Sequence, residues 1–340
     1  MAAEGDNIVW FTYTGADDEV IDAEATHINV QARVVRARAF LNHRNIVEVI
    51  CHEDVEKIEQ YAFAICPSLR RVIMPGVKIV ERNVFAFCGA LEDVDCDNLE
   101  TVGIGAFQSC KSLRKINLPS ARIVVGGAFV SCTALTDVKF GIKLEKIGAI
   151  TFRECESLEQ ITIPLKDGLF NFDGIFHECV NLRHVHLFEG ELQETIVALH
   201  LEEWRDDIND EIGLINQILP NTSAGGFDYD TEDEDTGEKA QAIQMWIISV
   251  LLKIVYYQVE HRHLLDDAAT TLEVVLPIDI VMNRVLRFLE LPAYNYFKKT
   301  KKKENPFLNL PPLPLPEDDE GEDSDDDTQA SESSSDEEEE

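Results

Sequence analysis

The sequence predicts an α/β repeat protein, in which a solenoid of parallel strands is followed by an α-helical region and a disordered acidic tail. First, one pattern of apolar residues recurs with a period of 22 to 24 residues over the first half of the chain. A fixed period in the twenties is typical of a solenoid, whose repeats stack on one another. Second, the apolar residues after residue 191 are spaced as in an α-helix. Third, residues 317–340 hold 15 acidic residues and no Lys or Arg.

These changes predict four regions along the chain. They are an N-terminal cap (1–38), the solenoid (39–188), a helical region (189–297) with an acidic connector (225–237), and a Lys-rich and Pro-rich linker with the disordered acidic tail (298–340). Within the cap, residues 9–14 alternate and are rich in β-formers, so we expect them to pair beside the first strand. A solenoid end exposes apolar surface that such a cap covers.

Each repeat is marked by a Phe and, in most repeats, by a Cys three residues later. The Phe positions are Phe40, Phe63, Phe85, Phe107, Phe129, Phe152 and Phe176. The matching cysteines are Cys66, Cys88, Cys110, Cys132, Cys155 and Cys179. Free Cys behaves as a small buried hydrophobe, and no CxxC pair occurs. We therefore predict buried, reduced thiols rather than disulfides or a zinc site, which fits a reducing compartment.

The strand of each repeat is predicted from segments such as LRKINL at 113–118, which turns Leu113, Ile116 and Leu118 inward. Its counterparts are LRRVIM at 69–74, LEDVDC at 91–96, LTDVKF at 135–140, LEQITI at 158–163 and LRHVHL at 182–187. Three of these segments are followed by Pro75, Pro119 and Pro164, and proline is favoured where a strand ends. A turn and an Ala-Phe-x-x-Cys segment follow, so the Phe packs from the opposite wall.

These residues resemble the BspA-like leucine-rich repeat family, whose unit reads Leu-x-x-Ile-x-Leu-Pro…Ile-x-x-x-Ala-Phe-x-x-Cys. The likeness runs from about residue 28 to 188. It implies a curved right-handed leucine-rich repeat solenoid with a parallel sheet on the concave side. It also implies a binder or adhesin rather than an enzyme. Extracellular members carry secretion signals, and the start MAAEGDNIVW shows no such signal, so we expect an intracellular protein, cytoplasmic or nuclear.

The exposed strand positions form columns when the repeats are aligned. One column is Glu48, Arg71, Asp93, Lys115, Asp137, Gln160 and His184, and we take it as the candidate protein-binding set. A second is Val47, Arg70, Glu92, Arg114, Thr136, Glu159 and Arg183. Neighbours in such a column lie about 4.8 Å apart, so alternating signs predict ladders of ion pairs. The ladders either only fix the register of the sheet, or also dock a protein of mixed charge.

Helical spacing begins after residue 191, where a run from Ile196 to Leu219 ends at Pro220. Residues 239–265 predict a second helix, which pairs with the first in an antiparallel hairpin. Residues 277–291 predict a third helix that starts at a proline. Segments YTG, LPNTSA at 219–224, LLDDAATTLEVVLP at 264–277 and DIVMNRVLRFLELPAY at 279–294 are similar to leucine-rich repeat proteins abundant in diatoms.

Composition limits the partners of the protein. The formal charge is −34, and outside the tail 30 basic residues still face 49 acidic ones. This excess repels phosphate backbones, so we expect no nucleic-acid partner and consider a protein partner, possibly basic, more natural. The longest apolar run, 245–257, is too short for a bilayer span, which needs about 20 residues. The oligomeric state is left open.

Nothing in the sequence predicts catalysis, a cofactor or a metal. No GxGxxG, P-loop, GxSxG or HExxH motif occurs. His184 and His186 share one side of the last strand, but two ligands without a third make a weak metal site. The Lys-rich run 298–303 is compatible with a nuclear import signal or with a solvated helix end.

The sequence therefore predicts a non-catalytic intracellular protein–protein interaction scaffold that binds its partner on the concave face of the solenoid. The alternative is an F-box-like ubiquitin-ligase substrate adaptor, because LPIDIVMNRVLRFLEL at 276–291 resembles the opening helix of an F-box.

Overall fold

The computed structural model describes residues 8–170, 174–188, 191–199, 201–224 and 238–273. The acidic connector, the third predicted helix, the F-box-like segment, the Lys-rich run and the acidic tail lie outside the described residues. The expectations for those segments therefore stay predictions.

Fifteen strands occur in the described residues. They are β1 (Trp10–Tyr13), β2 (His27–Val30), β3 (Val34–Val35), β4 (Glu48–Cys51), β5 (Lys57–Ile58), β6 (Arg71–Ile73), β7 (Ile79–Val80), β8 (Asp93–Asp95), β9 (Thr101–Val102), β10 (Lys115–Leu118), β11 (Ile123–Val124), β12 (Asp137–Phe140), β13 (Lys146–Ile147), β14 (Gln160–Ile163) and β15 (His184–Leu187).

The strands form three parallel sheets, which confirms the predicted solenoid. The longer strands make a five-stranded sheet in the order β1-β2-β4-β6-β8 and a four-stranded sheet in the order β10-β12-β14-β15. The predicted pairing of the cap is confirmed, since β1 pairs in parallel with β2. The two-residue strands make a third, six-stranded sheet where the sequence analysis expected only a turn. Two residues are too few to show a strand period.

The core is built as the repeat pattern predicts. Leu113 and Leu118 are fully buried, and Ile116 is 3% exposed. Strands β10 and β14 end immediately before Pro119 and Pro164. The inward residues of the two walls therefore meet inside each turn.

A column of stacked phenylalanine rings runs through the core. Neighbouring rings from Phe40 to Phe176 have centroids 4.8 to 5.7 Å apart and lie within 17° of parallel. At the N-terminal end, the ring of Tyr13 meets Phe40 edge-on at 5.2 Å. This column joins every repeat to the next, so the two longer-stranded sheets share one core.

Each stacked Phe is flanked by left-handed backbone two residues before and two residues after it. The earlier positions are Arg38, Tyr61, Asn83, Gly105, Gly127, Ile150 and Gly174, and the later ones are Asn42, Ile65, Phe87, Ser109, Ser131, Glu154 and Glu178. This geometry lets N–H groups of one turn donate to carbonyls of the next, as Phe63 does to Val84 at 3.0 Å. In the last turn, the N–H of Glu178 donates to Ala224 O at 2.9 Å, beyond the repeats.

The repeat cysteines are buried and free, as predicted for a thiol core. Each thiol donates to the carbonyl of the Phe one turn earlier, with Sγ–O distances from 3.0 to 3.2 Å. Burial raises the pKa of Cys132 and of Cys179 to about 12. Such thiols are inert as nucleophiles because the thiolate is the reactive form.

Helices close the C-terminal end of the solenoid. They are α1 (Glu191–Ala198), α2 (Glu202–Ile218), a 3₁₀ turn (Leu219–Asn221) and α3 (Glu238–Glu273). The run predicted from Ile196 to Leu219 is therefore split into two helices. Lys239 Nζ is buried and donates to Leu182 O at 2.7 Å and to Leu219 O at 3.3 Å, and burial lowers the pKa of this amine.

Helices α2 and α3 form the predicted antiparallel hairpin. Trp246 Nε1 donates to Glu211 O at 2.9 Å, and Lys253 Nζ donates to Asp207 Oδ1 at 2.9 Å and to Glu211 Oε2 at 3.1 Å. By length and composition alone, the segment Lys239–Leu264 would be long enough to cross a membrane, although the apolar run inside it is shorter. Its apolar residues Ile243, Ile247, Val250 and Ile254 are fully buried here.

Candidate protein-interaction site

The outward side of the five-stranded and four-stranded sheets is the surface that carries the candidate residues, and we call it the strand face. Side chains alternate along each strand, so the first and third residues of a strand point outward and the second points into the core. In β10, Lys115 and Asn117 are exposed whereas Ile116 is buried. The candidate column occupies the first strand position, and its members stand side by side in register within each sheet.

In the five-stranded sheet, the predicted ion-pair ladder forms. Arg71 lies between two carboxylates, with Nη1 3.7 Å from Glu48 Oε1 and Nε 3.2 Å from Asp93 Oδ2. Strand pairing sets these partners, because Glu48 and Asp93 are the registered neighbours of Arg71. These three charges are satisfied by one another.

The ladder does not continue into the four-stranded sheet, which corrects the prediction of an unbroken column. Strands β8 and β10 belong to different sheets, and within the described residues Asp93 and Lys115 make no ion pair. Cys96 Sγ donates weakly across the gap to Asn117 O at 3.7 Å. The strand face is therefore divided at this point.

The two halves of the strand face carry opposite formal charge. In β4, β6 and β8 and the residues just before them, the charged side chains are Glu48, Arg70, Arg71, Glu92, Asp93 and Asp95, which give a charge of −2. In β10, β12, β14 and β15 and the residues just before them, they are Arg114, Lys115, Asp137, Lys139, Glu159 and Arg183, which give +2, with His184 and His186 in addition. We call these the acidic half and the basic half.

Asp137 departs from the expectation that the whole candidate column is exposed. Its side chain is buried, with 5% of the residue exposed, and Oδ1 has no hydrogen-bond partner. Oδ2 lies 3.7 Å from Lys139 Nζ on the same strand. A buried carboxylate helps to hold Lys139 in place but offers little surface to a partner, so this member of the column is corrected.

Helix α2 stands over the end of the basic half and encloses a groove of about 600 Å³. The strand side of the groove is lined by Asn117, Lys139, Thr162 and His186, and the helix side by Asn209, Ile212, Gly213 and Asn216. Asn216 Oδ1 accepts a hydrogen bond from the N–H of Val185 at 2.9 Å, which fixes the helix to the last strand. The groove is open and of mixed character, because Phe140, Phe188 and Ile212 line it beside the asparagines and Lys139.

Sequence reasoning missed this groove. It aligned the first strand positions and left out the third ones, of which Asn117 and Lys139 line the groove. A signal was present in Gly213, because a glycine inside a predicted helix lowers helix stability and calls for a reason.

The described part of the chain holds no group of three His, Cys, Asp or Glu side chains arranged as metal ligands. The rings of His184 and His186 lie 6.2 Å apart at 20°.

Comparisons with known proteins place the chain in a family. The model of the BspA type leucine rich repeat region matches six copies over residues 22–126 and 105–196, which together make up just over half of the chain. Among solved structures, a leucine-rich repeat protein from Bacteroides ovatus is 22% identical with a TM-score of 0.40, and the match covers 48% of this chain and 45% of that one.

A leucine-rich repeat protein from T. pallidum is 20% identical with a TM-score of 0.37, over 53% of this chain and 85% of that one. The chain thus spans less than half of the first structure and most of the second. No curated protein matches the chain. On the family match, the chain belongs to the BspA-type leucine-rich repeat family.

Proposed function

We propose that the protein is a non-catalytic intracellular scaffold that binds a protein partner on its strand face. Leucine-rich repeat proteins are generally protein-interaction or surface scaffolds and are typically not enzymes. The strand face is proposed as the binding surface because it presents an acidic half and a basic half side by side. A partner with the opposite arrangement of charges would be both attracted and oriented.

Charge also favours a protein over a nucleic acid as the partner. The whole chain carries −34, which repels a uniformly anionic polymer. A folded protein presents patches of both signs and can match both halves. The composition of the chain favours a basic partner, and the two halves of the strand face refine this to a partner that is basic where it meets the acidic half.

The test is a charge reversal that keeps the ladder intact. Reversing only Arg71 and Asp93 would set a new carboxylate beside Glu48, so the matched variant is the triple change Glu48→Arg, Arg71→Glu and Asp93→Lys. It keeps the mutual attraction of the three residues and inverts what a partner meets. We expect partner recovery from native lysate to fall sharply, because facing like charges at an interface cost several kcal/mol.

The melting curve of the triple variant is the control. Surface ion pairs contribute about 0–1 kcal/mol each, so the variant should melt close to the original protein. Unchanged recovery with an unchanged melt would contradict the proposal for this half. Recovery of Skp1-like and cullin proteins would favour the F-box-like adaptor, whose segment at 276–291 lies outside the described residues.

A further inference from the structure

We propose that the outer edge of β1 receives an extended, basic segment of the partner, which adds to the five-stranded sheet as a further strand. This inference rests on the proposed function, because β1 belongs to the same sheet as the acidic half. It names the form and the charge of the segment that binds there. Three observations carry it: an unpaired backbone edge, an exposed tryptophan beside that edge, and the acidic sequence around it.

The outer edge of β1 has no strand beside it within the described residues. β1 ends the five-stranded sheet and pairs only with β2. Val9 O accepts from the first N–H of β2 at 3.0 Å, and Tyr13 O accepts from the residue after β2 at 2.9 Å. Backbone groups of alternate residues point to opposite sides of a strand, so Trp10 and Thr12 turn their N–H and C=O groups outward. The edge therefore offers two donors and two acceptors to another strand.

The edge of β1 also lacks the features that usually protect such an edge. Charged side chains, prolines, bulges or a covering helix normally prevent pairing with a further strand. β1 reads WFTY, without a charge, a proline or a residue of positive φ. At the other end of the strand face, α2 covers β15, and Asn216 Oδ1 accepts from the N–H of Val185. One end of the strand face is therefore closed, whereas β1 leaves the other end open.

Trp10 provides a contact surface beside this edge. It is 53% exposed, and Ile8, two residues earlier, is 57% exposed. Strand register aligns Trp10 with His27 and Glu48, which places it in the candidate column on the strand face. Its ring centroid lies 4.9 Å from that of His27, whose Nε2 lies 3.9 Å from Glu48 Oε2. Tryptophan is enriched in binding hot spots, and its ring attracts a Lys or Arg cation placed over its face.

The charges around β1 favour a basic segment. The first 32 residues of the chain contain seven acidic residues and no Lys or Arg. Glu19 lies against the end of β1, where its carboxylate accepts from the N–H groups of Thr14 and Gly15, both at 2.8 Å. The next two arginines in the sequence, Arg33 and Arg36, are each paired with a carboxylate of the chain, at 2.8 and 2.6 Å. A Lys or Arg on an added strand would therefore meet negative charge.

The same charges disfavour a second copy of this chain as the occupant. Pairing of β1 with β1 of another copy would bring two of these acidic segments together, and like charges that face each other across an interface weaken binding. The net charge of −34 acts in the same direction. A strand of the partner is therefore the favoured occupant.

The first experiment recovers peptides without assuming their charge. Displayed random peptides of roughly 12 residues, which span about 40 Å when extended, are first depleted on immobilised Thr12→Pro protein. That variant has the same net charge, so it removes peptides that bind by charge alone. The remaining peptides are panned on the original full chain at ~0.15 M salt. We expect sequences enriched in Lys, Arg and β-branched residues and depleted in Asp, Glu and Pro. Acidic sequences, sequences without a charge bias, or no recovery above background would overturn the inference.

Two substitutions at one position then test whether the backbone is the binding group. Thr12→Pro removes an outward N–H but no hydrogen bond to β2, and it should weaken binding of the best recovered peptide by about tenfold or more. The matched control, Thr12→Ala, keeps the N–H and should change the affinity by no more than about twofold. Anisotropy of the fluorescein-labelled peptide measures both. Equal losses of affinity would overturn the inference.

Hydrogen exchange of the original protein gives a measurement that needs no variant. In the free protein, the amides of Trp10 and Thr12 should exchange rapidly, whereas those of Phe11 and Tyr13, which face β2, should exchange slowly. Saturating peptide should slow exchange at Trp10 and Thr12 by about tenfold or more. Unchanged exchange at these two amides would overturn the inference.

Folding and self-association are controlled separately. Thr12→Pro should melt close to the original protein, since proline is tolerated on edge strands; if it melts much lower, the hydrogen exchange decides. A dimer of the full chain that Thr12→Pro dissociates, measured by sedimentation, would identify a second copy as the occupant and overturn the inference. If the triple variant at 48, 71 and 93 loses the partner from lysate but Thr12→Pro retains it, this inference fails while the proposed function stands.

Discussion

The acidic half and the basic half of the strand face contain similar residues, but the charged side chains are paired differently in the two halves. Both lie on the same column of phenylalanine rings, and both alternate outward polar and inward apolar residues. In the acidic half, Arg71 pairs with Glu48 and Asp93. In the basic half, Arg114 and Lys115 find no carboxylate within the described residues, and α2 builds a groove instead. The difference shows that the exposed charges of a repeat can form ion pairs with neighbouring strands or can stay unpaired and accessible to a partner.

The largest expected effect is the loss of stability at high pH, which tests the buried cysteines that both halves contain. Burial raises the pKa of Cys51, Cys96, Cys132 and Cys179 to about 12, against an ordinary thiol value of 9.0. Above pH 9 the unfolded chain loses thiol protons that the folded protein keeps. The stability is thus complete below about pH 9 and is lost as the pH rises toward 12, by up to about 1.4 kcal/mol per thiol and pH unit.

Urea unfolding at pH 8 and pH 10 measures this loss. We expect a much lower midpoint at pH 10, with one transition for both halves because the thiols run through the whole solenoid. Cys132→Ala should show a smaller change with pH, by the share of one thiol. A midpoint that does not move would show that the thiols are not buried as described.

The next effect comes from the ring column. Phe107 is fully buried and stacks on Phe85 at 5.4 Å and on Phe129 at 5.3 Å. Phe107→Ala should lower the free energy of unfolding by about 3–5 kcal/mol. Phe87→Ala is the control, since that ring is 52% exposed and its loss should cost little. Separate transitions for the two halves would mean that the column does not couple them.

The smallest expected effect is a difference in stability cost between a charge removed from the acidic half and one removed from the basic half. Arg71→Gln removes two ion pairs and should cost up to about 1 kcal/mol of stability, whereas Lys115→Gln removes none and should cost close to nothing. The difference should shrink in ~1 M salt, where exposed charges are screened. Chemical denaturation of the two variants at low and high salt checks it, and equal costs at low salt would contradict the contrast between the halves.

Much of this fold follows from the sequence. The period placed the seven stacked rings, the inward strand residues and the buried cysteines, because a solenoid repeats one environment at one interval. The short strands of the six-stranded sheet could not be predicted, since two residues show no period. The break in the strand face between β8 and β10 could not be predicted either, because the spacing of the repeats does not change there.

The candidate site was predicted only in part. Register put Glu48, Arg71 and Asp93 side by side, as the aligned columns predict. Burial of Asp137 and the approach of α2 to the basic half depend on contacts between distant parts of the chain. Such contacts leave no periodic signal, and only Gly213 hinted that one face of α2 is kept open.

The most direct measurement of the central claim compares the strand face with the opposite wall. A photo-cross-linking amino acid is placed at Asn117 on the strand face and, as a matched control, at Lys146, which is exposed on the six-stranded sheet. We predict that native lysate yields a defined cross-linked protein from position 117 and none above background from position 146. The same product from both positions, or from 146 alone, would contradict the account.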